Sequence, residues 1–450
     1  MKISAHRDAL IFIFMGEWTD MSQVKDAEAL LQEQIQPHAT RNMVISVTEG
    51  VLDAVAMGMI PLNTVVTYFI SDYVNNSFLI GLLPTLQAMC NVLVQILLNK
   101  KMNGRTRFKG LCNLGTGLFR CSWLIISILI LFFNRMAPVG FVCAFYAIYC
   151  YSGLCQGLTS LTYTQMMNKV IPNRVKGRFF GVRGAFNSAA GIIGAQIGGA
   201  IIASNGDVRR FGWLFLIAFV LDIISVLFQS LLIEPAIRMG EKQPGGAQKS
   251  NFFQDMQRLM KKDHNLARYV AAMFLITIGL SFFTFQTAHS KEALGLTGTQ
   301  LGMVTSIMYV FQTAGSLFWG WLSDRKGYHL GMMVGQAGFA VYLVLAFFAQ
   351  NAEITYLMTA IYGLAVSANN LGARNMVFKM CPYEERVAYY GVVNMMLTVA
   401  AATASMLTGA LIDLIGYGPS ALACLCVTAL GMLLLGSVRE QPPKNAQLTA

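Results

Sequence analysis

Apolar runs of 18 residues or more recur twelve times along this chain of 450 residues, and that recurrence decides what it can fold into. At 1.5 Å per residue, a helix of such a length crosses the hydrocarbon core of a bilayer. Backbone polar groups find no water there, so a spanning segment without barrel alternation must be helical. The runs cover 43–68, 78–98, 110–133, 138–168, 184–204 and 211–233, then 265–287, 299–322, 330–349, 354–378, 389–414 and 420–437. They are numbered spans 1 to 12 below. Composition agrees, with 55% hydrophobic and 12% charged residues, against about 25% charged in soluble chains. An all-α membrane protein is predicted, and a secreted, nuclear or one-pass protein is excluded.

The longest insert, 234–264, carries Pro244, Gly245 and Gly246, followed by Asp255, Arg258, Lys261 and Lys262. It is expected to be a solvated linker between two six-helix halves, 43–233 and 265–437, with an N-terminal extension at 1–42 and a tail at 438–450. Of the 33 Lys and Arg residues, 26 fall in the two termini and the loops on one side, and four (Arg135, Arg209, Arg210, Lys291) on the other. The positive-inside bias therefore predicts a cytoplasmic linker and cytoplasmic termini. The net charge of +11 becomes a topology signal, with no basic patch left over for nucleic acid. In the extension, the apolar stretch Ala9–Met15 is too short to span and lacks a small-residue cleavage site, so no signal peptide is expected. Residues 24–36 suit a short amphipathic helix ending before Pro37. The nine cysteines are an odd number, mostly within or beside apolar runs, and read as small hydrophobes.

The halves repeat one another. Shifting the chain by 210 residues sets Gly153-Leu154 on Gly363-Leu364, Lys169 on Lys379, Pro172 on Pro382 and Gly181-Val182 on Gly391-Val392, with 12 matches in 52 ungapped positions. Such duplicated halves are the build of many secondary transporters, which bind substrate between them near the midplane. Polar residues add a second line. Gln87, Asn91 and Gln95 form one stripe on span 2, and Ser152, Gln156, Thr159 and Tyr163 one on span 4. Thr305, Tyr309, Gln312 and Ser316 repeat the spacing on span 8, and Ser367, Asn370 and Arg374 line one face of span 10. A polar stripe facing lipid is costly, so these faces should meet water or each other. Four stripes in matching positions point to a shared cavity, and interhelical hydrogen bonding without a cavity is the alternative.

Ionisable residues also lie inside the spans: Glu49 and Asp53 one turn apart on span 1, Arg120 in span 3 and Asp222 in span 6. Each costs about 2.5–3.5 kcal/mol at a helix centre on insertion scales, so each needs a partner or water. Glu49, Asp53 and Arg120 are the residues expected to couple protons or hold a substrate charge, with Glu49 or Asp53 carrying the proton or a cationic group and Glu49 nearer the rim. The alternative for Arg120 is a structural ion pair with Asp53 or Asp222. Arg374 either holds an anionic substrate group or snorkels to the cytoplasm. His289, beyond span 7, is expected to face solvent. Trp123, Trp213, Trp319 and Trp321 read as interfacial anchors or packing.

The loop after span 8 reads Gly320-Trp321-Leu322-Ser323-Asp324-Arg325-Lys326-Gly327. It resembles the G-x-L-x-D-R-x-G signature of the major facilitator superfamily, at the cytoplasmic turn of the second half. With the twelve spans, the linker and the repeat, the resemblance covers about residues 43 to 437. It implies the major facilitator fold of two pseudo-symmetric six-helix halves, with Gly320, Asp324, Arg325 and Gly327 as a cytoplasmic gate that latches in one state and releases in the other. Gly320 would allow close helix approach and Gly327 the tight turn. The matching first-half loop departs from the signature, with Asn99-Lys100-Lys101 where the acid and base would stand. Span 5 carries Gly194-Ala195-Gln196-Ile197-Gly198-Gly199, similar to the family's G-P-x-x-G-G exporter signature with Ala195 in place of proline. Gly194, Gly198 and Gly199 are expected to let spans pack backbone to backbone. Glu49-Gly50 and the stretch Ile80-Gly81-Leu82-Leu83-Pro84 resemble a group of bacterial members, which implies the inner membrane of a bacterial cell.

No phosphate loop, HExxH helix, Cys/His cluster or GxSxG elbow occurs in the sequence. No ATP-driven cycle, enzyme activity, cofactor or metal is expected. The predicted function is secondary active transport of a small organic solute by alternating access, coupled to protons, by a monomer whose partners are that solute and the bilayer. The cavity residues expected to meet the solute are Gln87, Asn91, Gln156, Tyr163, Tyr309, Gln312, Asn370 and Arg374. A non-transporting sensor with the same fold is the alternative, supported by the altered first-half loop and the extension.

Overall fold

The computed structural model describes residues 33–74, 76–102, 105–133, 135–204, 206–236, 252–348, 351–381 and 386–439. Most of the expected extension and its amphipathic helix, much of the linker, the end of the tail and the Arg374 side chain lie outside what is described.

The described residues contain helices and no strand. In the first half they are Ala39–Met59, Ser77–Met102, Lys109–Phe133, Pro138–Val170, Lys176–Ala203 and Arg209–Ser230. In the second they are His264–Leu280 with Phe283–Leu294, Gly298–Lys326, Tyr328–Phe348, Ala352–Met380, Arg386–Ile415 and Tyr417–Gly436. Eleven of the described helices are long and apolar enough to cross a membrane. The helix expected as span 10, Ala352–Met380, has 29 residues, and its Asn369, Asn370 and Asn375 dilute its apolar character. Local chemistry sets several starts. Asp263 accepts the N–H groups of Asn265 and Leu266 to begin span 7, and Thr297 and Gln300 cap span 8 reciprocally. A further helix, Phe252–Lys262, precedes span 7, with Leu259 and Met260 packed on the second-half core.

Spans 1 and 7 are not the continuous helices that apolar periodicity predicts. Span 1 stops at Met59, passes through Ile60 and extended Pro61, and resumes as a wide turn over Leu62–Val66 and a helix over Thr67–Ile70. Proline has no N–H and disfavours helix at the residue before it, which explains the break. Span 7 turns at Ser281–Phe282, between Leu280 and Phe283. Irregular backbone at membrane depth is tolerated where it lines a cavity. The breaks fall beside one recess, lined in part by Leu62, Asn63, Ser281 and Thr284.

Each half packs around an aromatic core. Phe69, Phe141, Phe145, Phe211 and Phe215 centre the first, and Tyr269, Phe282, Phe339 and Tyr342 the second. The faces turned outward are apolar, as with Leu114, Ile125 and Phe132 on span 3 or Val334, Val341 and Phe348 on span 9, which suits contact with lipid. Two membrane faces can be told apart by their loops. Among the described residues the base-poor face holds the loops at 71–74, 135–137, 206–208, 295–297 and 416, and the base-rich face those at 105–108, 171–175, 327 and 381.

The halves meet toward the base-poor face. There span 2 packs on span 11 and span 5 on span 8, and the first-half core takes in Phe285, Leu296, Leu301 and Val304. The hydroxyls of Thr67 and Thr287 lie 3.0 Å apart, Thr305 donates to Thr64 at 3.1 Å, and Tyr68 donates to the Leu296 carbonyl at 3.0 Å. Lys291 pairs with Asp72 at 2.5 Å, and Asp413 accepts the Ser77 and Phe78 N–H groups at 2.7 and 2.8 Å. Toward the base-rich face spans 5 and 8 part, and Phe180, Gly184, Ser316 and Leu317 line a recess of about 560 Å³ with Tyr309 and Gln312.

Candidate functional site

Two groups of polar side chains sit between the spans. The first is charged and lies inside the first half. Arg183 of span 5 meets Glu49 of span 1 at 2.6 Å and donates to the Ser46 carbonyl at 3.0 Å. Tyr163 of span 4 donates to the same Glu49 oxygen at 3.2 Å. Glu49 is 5% exposed, so it is a buried member of a three-helix contact and not the hydrated rim residue that its distance along span 1 suggests. Arg183 counts toward the basic loops in a sequence reading. Helical packing instead carries its side chain back along span 5, beneath Gly50.

One turn deeper, Arg120 of span 3 bridges two carboxylates. Its Nη2 contacts Asp53 Oδ1, and its Nη1 lies 3.2 Å from Asp222 Oδ2 on span 6. The Phe119 ring lies 4.9 Å below the guanidinium. The carboxylates differ in access: the Asp53 side chain is 29% exposed, that of Asp222 is fully buried. Among the described residues Arg120 Nε has no hydrogen-bond partner, and the buried Asp222 rests on its ion pair with Arg120 Nη1. Two carboxylates sharing one guanidinium leave one negative charge over when all are ionised. A single proton on either removes it, and water reaches Asp53 first.

The second group is neutral and lies between the halves. Gln87, Asn91 and Gln156 line the recess of about 430 Å³ at the breaks of spans 1 and 7, together with Gln95, Tyr362 and Thr398. The stripes of spans 2 and 4 also bond to one another. Gln87 donates to Ser152 at 3.1 Å, Asn91 to Gln156 at 2.9 Å, and Gln95 to Asn91 at 2.6 Å and Ser160 at 3.1 Å. Interhelical bonding and a cavity thus coexist on the same residues. Tyr309 and Gln312 face the span 5–span 8 recess, and Asn370 lines another beside Ser316 and Ser367. Tyr163 joins the charged group.

The motif after span 8 is not a loop but the last turns of its helix, which runs to Lys326; Asp324 and Arg325 are exposed there and Ser323 is buried. Gly327 has φ +87°, a conformation open to glycine, and closes the turn into span 9. Asp324 and Arg325 form no ion pair among the described residues, and Arg325 stands over the Trp321 ring at 4.4 Å. A side chain at Gly320 would meet nothing within 4 Å, so in this conformation the residue mediates no close approach. The span 5 glycines do sit in tight contact: a Cβ at Gly194 would run into the Val55 backbone, one at Gly198 would lie 2.8 Å from the Met59 carbonyl, and one at Gly199 2.7 Å from Gly302 Cα. His289 is half-buried and stacks on Tyr417, with ring centroids 3.7 Å apart, which removes it from a purely solvent-facing role. Trp123 and Trp319 are buried, whereas Trp213 and Trp321 are about half exposed.

The family model described as Major Facilitator Superfamily matches residues 50–291 and 270–450. Among curated relatives, the multidrug resistance protein MdtG of Rahnella sp. (strain Y9602) is 37% identical over 78 residues, 16% of this chain and 19% of that protein. MdtG of Escherichia coli (strain 55989 / EAEC) matches to the same extent. The chain thus spans about a fifth of the length of these relatives. Solved structures match over most of their length. A mutant of the nucleoside transporter NupG superposes with TM-score 0.70 at 14% identity, over 88% of this chain and 99% of that one. A D-xylose-proton symporter does so with TM-score 0.65 at 14% identity, over 89% and 97%. These likenesses establish the fold.

Proposed function

Since the chain belongs to the major facilitator superfamily, a family of membrane transporters, we propose that it moves a small organic solute by alternating access, coupled to protons. Residues 43–233 and 265–437 are the two units that rock against each other, joined by the linker at 234–264. The extension at 1–42, the tail at 438–450 and the base-rich face are cytoplasmic, so the described conformation opens inward. The observation that carries this reading is the pair of broken helices. The first helix of each half loses its regularity beside one recess between the halves, as discontinuous helices do at midplane transporter sites. The exposed, unlatched motif at Asp324 and Arg325 fits an inward-open state.

Asp53 is the proton carrier in this scheme. Ionised, it is held by Arg120. Protonated, it releases the guanidinium to Asp222, and the movement is felt by spans 1, 3 and 6 at once. Gln87, Asn91 and Gln156 contact the solute in the recess at the helix breaks, and Tyr309, Gln312 and Asn370, with Arg374 at the inner end of span 10, line its path toward the base-rich face. Glu49, Tyr163 and Arg183 hold spans 1, 4 and 5 together below it. Both halves and the recess between them belong to one chain, so the unit of transport in this proposal is a monomer. Reconstitution in liposomes with an imposed pH gradient tests the coupling: uptake should follow the gradient, and Asp53→Asn should retain solute exchange while losing its pH dependence. Full pH-dependent uptake by Asp53→Asn would rule out the carrier role.

A further inference from the structure

The substrate class follows from how the charges are used. By sequence the candidate cavity mixes amides, tyrosines, acids and arginines, a set that suits solutes of almost any charge. The structure separates them. Glu49 is taken by Arg183, and Asp53 and Asp222 by Arg120. No Asp, Glu, Lys, Arg or His lines the recess at the breaks of spans 1 and 7 among the described residues. Resting on the transport reading above, we propose that this recess binds an uncharged, hydroxyl-rich solute: a monosaccharide, a polyol or the sugar of a nucleoside.

The amides are arranged for such a ligand. Each spends one end on a neighbouring helix. Gln87 uses its Nε2 on Ser152, Gln95 its Nε2 on Asn91 and Ser160, and Gln156 its Oε1 on Asn91. The other ends carry no bond among the described residues: acceptors at Gln87 Oε1 and Gln95 Oε1, a donor at Gln156 Nε2. Successive stripe residues on span 2 stand about 6 Å apart along the axis, and the bonds between helices fix their orientation. Hydroxyl groups both donate and accept, so they match a mixed set of fixed donors and acceptors. The opposite wall supplies hydroxyls of Thr284, Thr398 and Ser405 and the Tyr362 ring, which is held by stacking on Phe283 at 3.7 Å between centroids. An apolar face on a sugar or base finds a flat partner there. An organic anion or cation would find no counter-charge, and an apolar drug would leave the amides unbonded. A site built to bond hydroxyls rejects analogues lacking them by large factors.

The test pairs binding with flux. The full chain in detergent is titrated with D-glucose, myo-inositol, D-ribose and uridine, and in parallel with citrate, dialanine and tetraphenylphosphonium, using thermal stabilisation as the readout. Proteoliposomes then measure counterflow of the same labelled compounds. Stabilisation and counterflow are expected from at least one uncharged hydroxylated probe, with the ribose and uridine arms separating sugar from nucleoside. Gln156→Leu should weaken that binding at least tenfold, and Gln156→Glu, which keeps the shape, should weaken it comparably if the donor is what matters. Counterflow of only a charged or lipophilic probe overturns the substrate class while leaving the transport reading standing. Binding of an uncharged probe without any counterflow supports the class and counts against transport. Absence of binding by every uncharged probe overturns the proposal.

Discussion

Asp413→Ala probes what keeps the base-poor face shut. The carboxylate stands at the end of span 11 and accepts two N–H groups at the start of span 2, at 2.7 and 2.8 Å from Ser77 and Phe78. It caps a helix of the opposite half, with its charge at the positive end of the helix dipole. Loss of a capping side chain to alanine costs about 0.5–2 kcal/mol, and this contact exists only while the halves meet. At about 1.4 kcal/mol per factor of ten, the ratio of open to closed forms at this face should rise roughly 2- to 30-fold. Asp72→Ala is the comparison. Its pair with Lys291 has side chains 46% and 20% exposed, so solvent screening limits it to about 0.2–1 kcal/mol, a shift of roughly 5-fold at most. The assay uses Thr287→Cys in a background freed of the nine native cysteines. Thr287 is fully buried in the seam, so a maleimide labels the cysteine only when the face opens. Labelling should quicken more with Asp413→Ala than with Asp72→Ala. An unchanged or slower rate in a folded Asp413→Ala protein would refute the cross-half cap.

Other substitutions test the remaining contacts. Arg120→Leu strands one buried and one half-buried carboxylate and should destabilise the detergent-solubilised protein by about 3–5 kcal/mol. Asp222→Asn leaves the Asp53–Arg120 pair intact and should cost less than about 2 kcal/mol; equal losses in the two variants would mean that Arg120 does not bridge both acids. Gly194→Ala pushes a methyl group into the Val55 backbone, so spans 1 and 5 must separate at about 1–3 kcal/mol. At Gly181, inside the span 5 helix, a Cβ would meet nothing within 4 Å, and Gly181→Ala should raise stability slightly, by about 0.5–1 kcal/mol of helix propensity. Glu49→Gln strips Arg183 of its counter-charge and should lower stability more than Tyr163→Phe, which removes one hydrogen bond; the reverse order in thermal melts would contradict the pairing.

The helices themselves were legible because hydrocarbon imposes a length and a composition on whatever crosses it. Most span ends moved by a few residues, but span 5 begins at Lys176 and not at 184, and span 7 runs on to Leu294 and not to 287, where polar turns continue a helix beyond its apolar run. The break in span 1 had a visible signal in Pro61 amid an apolar run. The break in span 7 had only Gly279 and Ser281, neither of which forces a turn. Helical spacing identified the residues that share a face, as with Gln87, Asn91 and Gln95, but not what that face would meet. Pairing is a property of three-dimensional packing: Arg183 lies 134 residues from Glu49 in the chain, and its position in a basic stretch beside the 171–175 loop disguised a buried partner as a topology signal. Asp413 was hidden for a similar reason. An acid at the end of an apolar helix looks like a solvated terminus until span 2 is brought against it.

For solute to cross, the two halves must part at the base-poor face. Thr67 and Thr287 face each other across that seam with hydroxyls 3.0 Å apart, which makes them a natural site for a reversible lock. The measurement is counterflow through proteoliposomes carrying Thr67→Cys with Thr287→Cys in the cysteine-free background, using a labelled probe from the binding panel that the unlocked protein carries. Oxidation should abolish counterflow and a reductant should restore it. Undiminished counterflow through protein crosslinked to completion would contradict alternating access between these halves.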